Sequence, residues 1–324
     1  MRMRRRSRKA VKRMRFDVVK CHGSGNDFPL IDARDLLLDD GAWAVVARAL
    51  ADRAGPIGGD GLLLLTAGDA GHAFGMVMRN SDGSEAETCL NGVRCVARAG
   101  FAALGIEQAL VRLKTSAAYA THDPDLAPGV YTVRETAGPA GMDVTAWPMT
   151  IGTDRLVEGL IPALSDTIRF TAVAMPNPHL VAFVEAVDED ELVRIGMLCE
   201  AAPDWLPNRA NVSFVAVRDR SLFVRTFERG VGLTDSCGSA MAASTHAACL
   251  TGRIACDVET VVLNRGGLVR AQADAAGVVT ISGNATFEWA GSVDVDLATG
   301  IASGLVVTAH YPDEIAAWAR VKAG

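Results

Sequence analysis

Two cysteines in this chain sit where a thiol could do acid–base chemistry. Cys89 closes the polar run Asn80-Ser-Asp-Gly-Ser-Glu-Ala-Glu-Thr, and Cys237 closes Phe227-Glu-Arg-Gly-Val-Gly-Leu-Thr-Asp-Ser. A segment of helical pattern begins directly after each one, from about Asn91 to Leu104 and from Gly238 to Leu250. The unpaired N–H groups at a helix start carry partial positive charge. That charge favours a thiolate and can also hold a carboxylate. The plain alternative is that each cysteine is a small buried apolar group. The polar residues on both sides weigh against it. In the second loop Arg229 is suited to a bidentate grip on a carboxylate, and Glu228 to an ammonium group or to a neighbouring thiol. Standing alone, those two would read as an exposed ion pair.

If the two loops face each other, a carboxylate rests on two helix N-termini with one thiol on either side of its α-carbon. One thiolate removes the α-proton and the opposite thiol returns a proton to the other face. The two titrations are then coupled. The stereocentre inverts with no cofactor and no metal.

Positioning such a pair calls for two similar supports, and the chain repeats itself accordingly. Asn80 precedes Cys89 by nine residues, and Glu228 precedes Cys237 by nine. Each half reads as strand, polar loop, cysteine and alanine-containing helix, stopped by Gly105 or Gly252. A chance match is the competing explanation. The apolar pattern predicts strands at Phe16–Lys20 and Phe28–Ile31 with a loop over Cys21–Asp27, and short β-like runs including Met142–Thr145. It predicts helices over Asp40–Ala54, Asp188–Met197 and Pro312–Val321, and a strand pair at Asn211–Arg218 and Ser221–Phe227.

A length of 324 residues favours two domains. Nine of the chain's 32 basic residues, and none of its 38 acids, fall in the first fifteen. The rest is therefore strongly acidic and a poor partner for nucleic acid. The basic block reads as a disordered, self-repelling extension. A targeting role and a true start at Met14 are the other readings. No apolar run reaches the roughly 20 residues of a membrane helix, so no membrane partner is expected. The seven cysteines are odd in number and contain no C-x-x-C. With no secretory signal, a cytoplasmic setting and free thiols are expected.

Several ordered motifs resemble the diaminopimelate epimerases across roughly residues 16–295. They are His22-Gly-Ser-Gly-Asn-Asp-Phe28, Gly58-Gly-Asp-Gly-Leu62, Asn80-Ser-Asp-Gly-Ser-Glu85, Cys89-Leu-Asn-Gly-Val-Arg94, Asn177-Pro-His179, Glu228-Arg-Gly-Val-Gly232 and Cys237-Gly-Ser239. The resemblance implies an α+β fold of two similar domains, each a β-sheet wrapped around a central helix, with the active site in the cleft between them. It implies domain one at 16–132 plus 284–297, domain two at 133–283 and a C-terminal extension at 298–324. It implies Cys89 and Cys237 as the acid–base pair, with His179 and Glu228 adjusting their ionisation. Leu90, Asn91, Gly238 and Ser239 would hold the reacting carboxylate. Asn26, Asn80, Asn177, Asn211 and Arg229 would grip the distal end of a small amino-acid substrate. The implied reaction turns LL-diaminopimelate into its meso isomer for lysine and peptidoglycan synthesis, and a homodimer is a candidate assembly.

The chain departs from the family pattern at three places. Leu90 stands where the family usually has glycine, which would crowd the carboxylate pocket or change the loop. Leu233 replaces a common acid, and Gly238-Ser-Ala-Met241 is bulkier than usual. These changes leave a racemase of another amino acid as the nearest alternative. A redox-sensing or non-catalytic protein on the same scaffold, and a cysteine hydrolase with His179 as base, are the others. Two matched cysteine loops are unexplained by a single nucleophile.

Overall fold

The computed structural model describes residues 13–86 and 88–323. The readings of residues 1–12 as an extension, a targeting segment or untranslated sequence lie outside the described residues. Each half wraps strands around one helix through the same series of pairings. In the first half Arg13–Gly23 is antiparallel to Asn26–Asp32, which is parallel to Gly61–Ala67. That strand is antiparallel to Phe74–Asn80, which is parallel to Gln108–Arg112. Antiparallel pairings then continue through Ala117–Asp123 to Thr132–Ala137. In the second half Ser165–Ala174, Pro178–Phe183, Asn211–Arg218, Ser221–Glu228, Thr260–Asn264, Gly267–Ala273 and Val279–Asn284 follow in the same order of antiparallel and parallel pairs.

Parallel neighbours need a crossover, and helices supply all four of these. They are α1 (Asp40–Ala51) and α2 (Leu90–Leu104) in the first half, and α3 (Glu189–Glu200) and α4 (Gly238–Leu250) in the second. Helix α4 is buried on every side except at Leu250, as a helix apolar all round must be. Its alanines let the sheet close around it. Helix α2 packs Val93, Val96 and Phe101 against Phe28, Leu63 and Phe74, and ends where Gly105 turns left-handed at φ 67°. The two halves join where Val279–Asn284 pairs with Thr132–Ala137. Strand Thr286–Asp296 then returns to pair along Arg13–Gly23, and Ile301–His310 adds outside it. The last helix, α5 (Pro312–Ala323), presses Trp318 between the halves. The indole lies 5.9 Å from the His22 ring, and a Cβ added at Gly267 would come within 2.3 Å of it.

Several local expectations need correction. Cys21–Gly23 and Asn26–Asp27 are strand, and the turn shrinks to Ser24 and Gly25, both at positive φ (53° and 84°). The first strand already includes Arg13–Arg15 ahead of Phe16, and Arg13 and Arg15 reach Asp294 across the ladder at 3.3 and 3.5 Å. The Met142–Thr145 run is no strand. Asp143 caps a short 3-10 turn at Val144–Ala146 through the Thr145 N–H. Finally, the thiols are not all free. Gly252, at φ 71°, turns the chain back after α4, and Cys249 and Cys256 form a disulfide with Cα atoms 5.1 Å apart.

Candidate active site

Asn80 and Glu228, each nine residues before a cysteine, are the last residues of Phe74–Asn80 and Ser221–Glu228, strands with the same place in the two halves. The loops that follow return the chain to the helix axis. Cys89 and Cys237 become the N-cap residues of α2 and α4. At Cys89 the Gly92 N–H donates to Sγ at 3.3 Å. Cys237 makes no such cap bond, and its Sγ lies 3.5 Å from Ser239 Oγ. The two helix starts meet head on, since a Cβ placed on Gly238 would lie 2.8 Å from Leu90 Cβ and 3.5 Å from Asn91 N. Both thiols thereby line one cleft of about 1920 Å³ between the halves.

Most of the expected site residues reach this cleft. Asn26, Asn80, Asn177 and Asn211 line it, as do Glu228 and Arg229 from the second loop. Leu90, Asn91, Gly238 and Ser239 line it at the helix starts. The Cys89 thiol faces Asn26 Oδ1 at 3.7 Å. Asn211 Oδ1 accepts from the Arg229 N–H at 2.9 Å, fixing the loop that carries the guanidinium. Arg229 donates to Asn208 O at 3.1 Å. His179 is the exception. It is fully buried behind the wall, with Nε2 3.1 Å from Ser239 Oγ, 3.0 Å from Asn177 Oδ1 and 3.3 Å from Asn211 Nδ2. It touches residues that line the cleft rather than either thiol.

Two contributors escaped the sequence reading. Asp60 accepts from the Asn26 amide and from the Asp27 N–H. Its signal lay in the Gly58-Gly-Asp-Gly turn, quoted above as a motif without a role for the acid. Ser236 accepts from Asn91 Nδ2 at 3.3 Å and from Asn264 Nδ2 at 3.1 Å. Nothing in its sequence setting marks it apart from other loop serines.

Burial works against the thiolate expected at each helix start. Burial pushes the Cys89 thiol up to about 12, against the opposing Gly92 N–H. Burial lifts the Cys237 thiol further still, with the nearby Glu228 adding to it. Desolvation thus opposes the helix N-terminus at both sulfurs. Burial raises the Glu228 carboxyl to about 6 and lowers His179 to about 3, which leaves the imidazole neutral.

Leu90 does not crowd the pocket in the manner expected. Its side chain packs with Val173, Met175 and Met241 in the core around α4, so a first-half residue is sunk into the second half. Gly238 faces its Cβ with no room for a side chain. The variant G238A is therefore expected to lose about 1–3 kcal/mol through overpacking, read as a lower Tm, and to slow turnover by shifting Cys237. The double variant L90G/G238A should recover part of both. A double variant no better than G238A would show that the collision is elsewhere.

A family model described as diaminopimelate epimerase matches residues 18–119 and 171–288. A diaminopimelate epimerase of Clostridium acetobutylicum is 39% identical over 288 residues, covering 87% of this chain and 86% of its own length. One from Enterococcus faecalis is 38% identical over 290 residues, covering 84% and 87%. Among solved structures, a hydroxyproline epimerase from Agrobacterium vitis superposes with a TM-score of 0.62 at 15% identity, covering 89% of this chain and 94% of its own. A phenazine biosynthesis protein of Bacillus anthracis gives 0.61 at 12% identity, covering 87% and 99%. At such identities these two structures speak to the fold, which is the mixed, two-domain architecture described above.

Proposed function

We propose that this chain, which belongs to the diaminopimelate epimerase family, inverts one α-carbon of LL-diaminopimelate with Cys89 and Cys237 as its two bases. The chain is an isomerase, and relatives at 34–39% identity over most of its length favour epimerisation over the racemase and redox-sensor alternatives. The observation that carries the mechanism is the meeting of two helix N-termini, each capped by a cysteine, at the wall of one cleft.

In this reading the substrate α-carboxylate takes the free N–H groups at the starts of α2 and α4, with Leu90, Asn91, Gly238 and Ser239 supplying the backbone. Multiple N–H donors aimed at one point also stabilise the charge that develops as the α-proton leaves. One sulfur takes that proton while the other supplies its own from the opposite face. Glu228, beside Cys237, can hold the proton that must leave a thiol before it acts as base. His179 stays neutral and orients Ser239, Asn177 and Asn211. Arg229 and the asparagines take the distal ammonium and carboxylate of the substrate, which favours a diamino diacid over an ordinary amino acid.

We also propose a cytoplasmic homodimer. No described helix is long and apolar enough to cross a membrane, and Ile301 and Val306 stand exposed on the outer strand. Sedimentation as a monomer would remove the dimer. We also propose a first domain at residues 16–132 with 284–297 and a second at 133–283.

The direct test is reduced protein with LL-diaminopimelate in D₂O, followed by NMR for loss of the α-proton signal beside a panel of ordinary L-amino acids. Loss with diaminopimelate alone is expected. Loss with a different amino acid would keep the chemistry and move the substrate. No loss with any of them would sink the proposal.

A further inference from the structure

Arg94 stands on α2 one turn beyond Asn91 and has no solvent exposure. Its Nη1 donates to Glu135 Oε1 at 2.7 Å, in an ion pair with both side chains fully buried. Its Nη2 donates to Asn91 Oδ1 at 2.6 Å and to Ser24 Oγ at 3.3 Å, and its Nε to Asn284 O at 3.1 Å. Two glycines make room for it. A Cβ on Gly283 would lie 2.6 Å from Nε, and one on Gly23 would lie 3.0 Å from Nη2.

A buried ion pair is a weak device for stability, because desolvation of the two ions offsets most of their attraction. Burial raises the Glu135 carboxyl to about 8 even with Arg94 opposing the shift. The placement of this pair has a more specific effect. A guanidinium only donates, so it accepts no orientation of the Asn91 amide but oxygen inward. The amide nitrogen must then face outward. It lies 3.4 Å from Asn26 Oδ1 and 3.3 Å from Ser236 Oγ. Asn26 Oδ1 is the atom that faces the Cys89 thiol, and Ser236 is the residue before Cys237. One NH₂ group therefore bridges the settings of both thiols across the cleft. The Ser24 contact adds a second tie between the halves, because the Ser24 carbonyl lies where only a glycine at 266 fits, 1.9 Å from a Cβ there.

We infer that Arg94, held by Glu135, is a positioning residue that fixes the Asn91 amide and so sets the spacing of Cys89 and Cys237. The inference rests on the two-thiol reading, but its test has an arm that does not.

The apolar replacement R94M/E135L removes both charges together, the change that buried pairs tolerate best. It is expected to lower kcat about 100-fold, the scale of an ångström-sized misplacement. KM should stay within about threefold, because no substrate contact is removed. N91A should give a similar loss, and combining all three substitutions should add little, since coupled residues are not additive. R94K, still a pure donor, should keep part of the rate. Losses that multiply, a change confined to KM, or wild-type kcat in R94M/E135L would each overturn the inference. Should R94M/E135L fail to fold by circular dichroism, R94K, N91A and their combination carry the same cycle. The independent arm is bridging of the two thiols by dibromobimane. It is expected to be fast in wild type and to give way to single alkylation in the variants. If wild type inverts nothing, the proposed function fails, yet equal bridging in folded variants would still refute the role of Arg94, and reduced bridging would uphold it.

Discussion

Replacing either Cys89 or Cys237 by alanine should lower the inversion rate by about 10²–10⁴-fold, the range that a positioned proton-transfer group supplies. Each thiol serves one face of the α-carbon, so losing either leaves one direction without a base and the other without an acid. The more telling outcome concerns exchange without inversion. A single remaining thiol can take the α-proton and return a solvent deuteron to the same face. Cys89→Ala and Cys237→Ala should therefore each retain exchange with one stereoisomer only, and with opposite isomers. Chiral chromatography reads inversion and NMR reads exchange. Near-wild-type inversion in either variant refutes the two-base mechanism, and exchange of the same isomer by both would mean that the thiols do not flank the carbon.

Arg229→Ala should raise KM far more than it lowers kcat, by an amount equivalent to about 2–5 kcal/mol if the guanidinium meets a desolvated carboxylate. The geometry supports a large effect. Arg229 lines the cleft, and no carboxylate among the described residues lies within ion-pair distance of it, whereas its neighbour Arg209 is neutralised by Glu200 at 2.5 Å. Its backbone is held by Asn211, so truncation should leave the loop and the nearby thiol in place. Steady-state kinetics on diaminopimelate check this. An unchanged KM would remove Arg229 from substrate binding, and a fall in kcat alone would assign it to the reacting centre.

Much of the site was legible because its signals are local. The nine-residue spacings locate the ends of two equivalent strands, and a cysteine directly before a helical pattern identifies an N-cap. What stayed hidden depends on distant partners. Cys21 and His22 pair with both a neighbouring strand and the C-terminal Thr286–Asp296, and Gly23 with Asn26, which makes the segment strand despite its glycine and histidine. Cys256 meets Cys249 only because Gly252 reverses the chain. Thiol ionisation depends on distant partners in the same way. A helix start is visible in sequence, while the burial that opposes it is assembled from both halves. Leu90 looked like an obstacle to substrate because its glycine-like position was known and its socket around α4 was not.

The return of Thr286–Asp296 to the first strand has a consequence for how the chain is made. A nascent chain emerges from its N-terminus, so Arg13–Gly23 is synthesised with one edge open and must wait for most of the molecule before its partner appears. The second half has no such debt to later sequence, since its strands from Ser165 to Asn284 lie within one continuous stretch. Order of synthesis and order of completion are thus reversed, with the later half able to close first and the earlier half sealed last, when Trp318 arrives to wedge between His22 and Gly267. During that interval an unpaired strand edge is open to other chains. For this protein, synthesis leaves the edge of Arg13–Gly23 exposed until Thr286–Asp296 pairs along it.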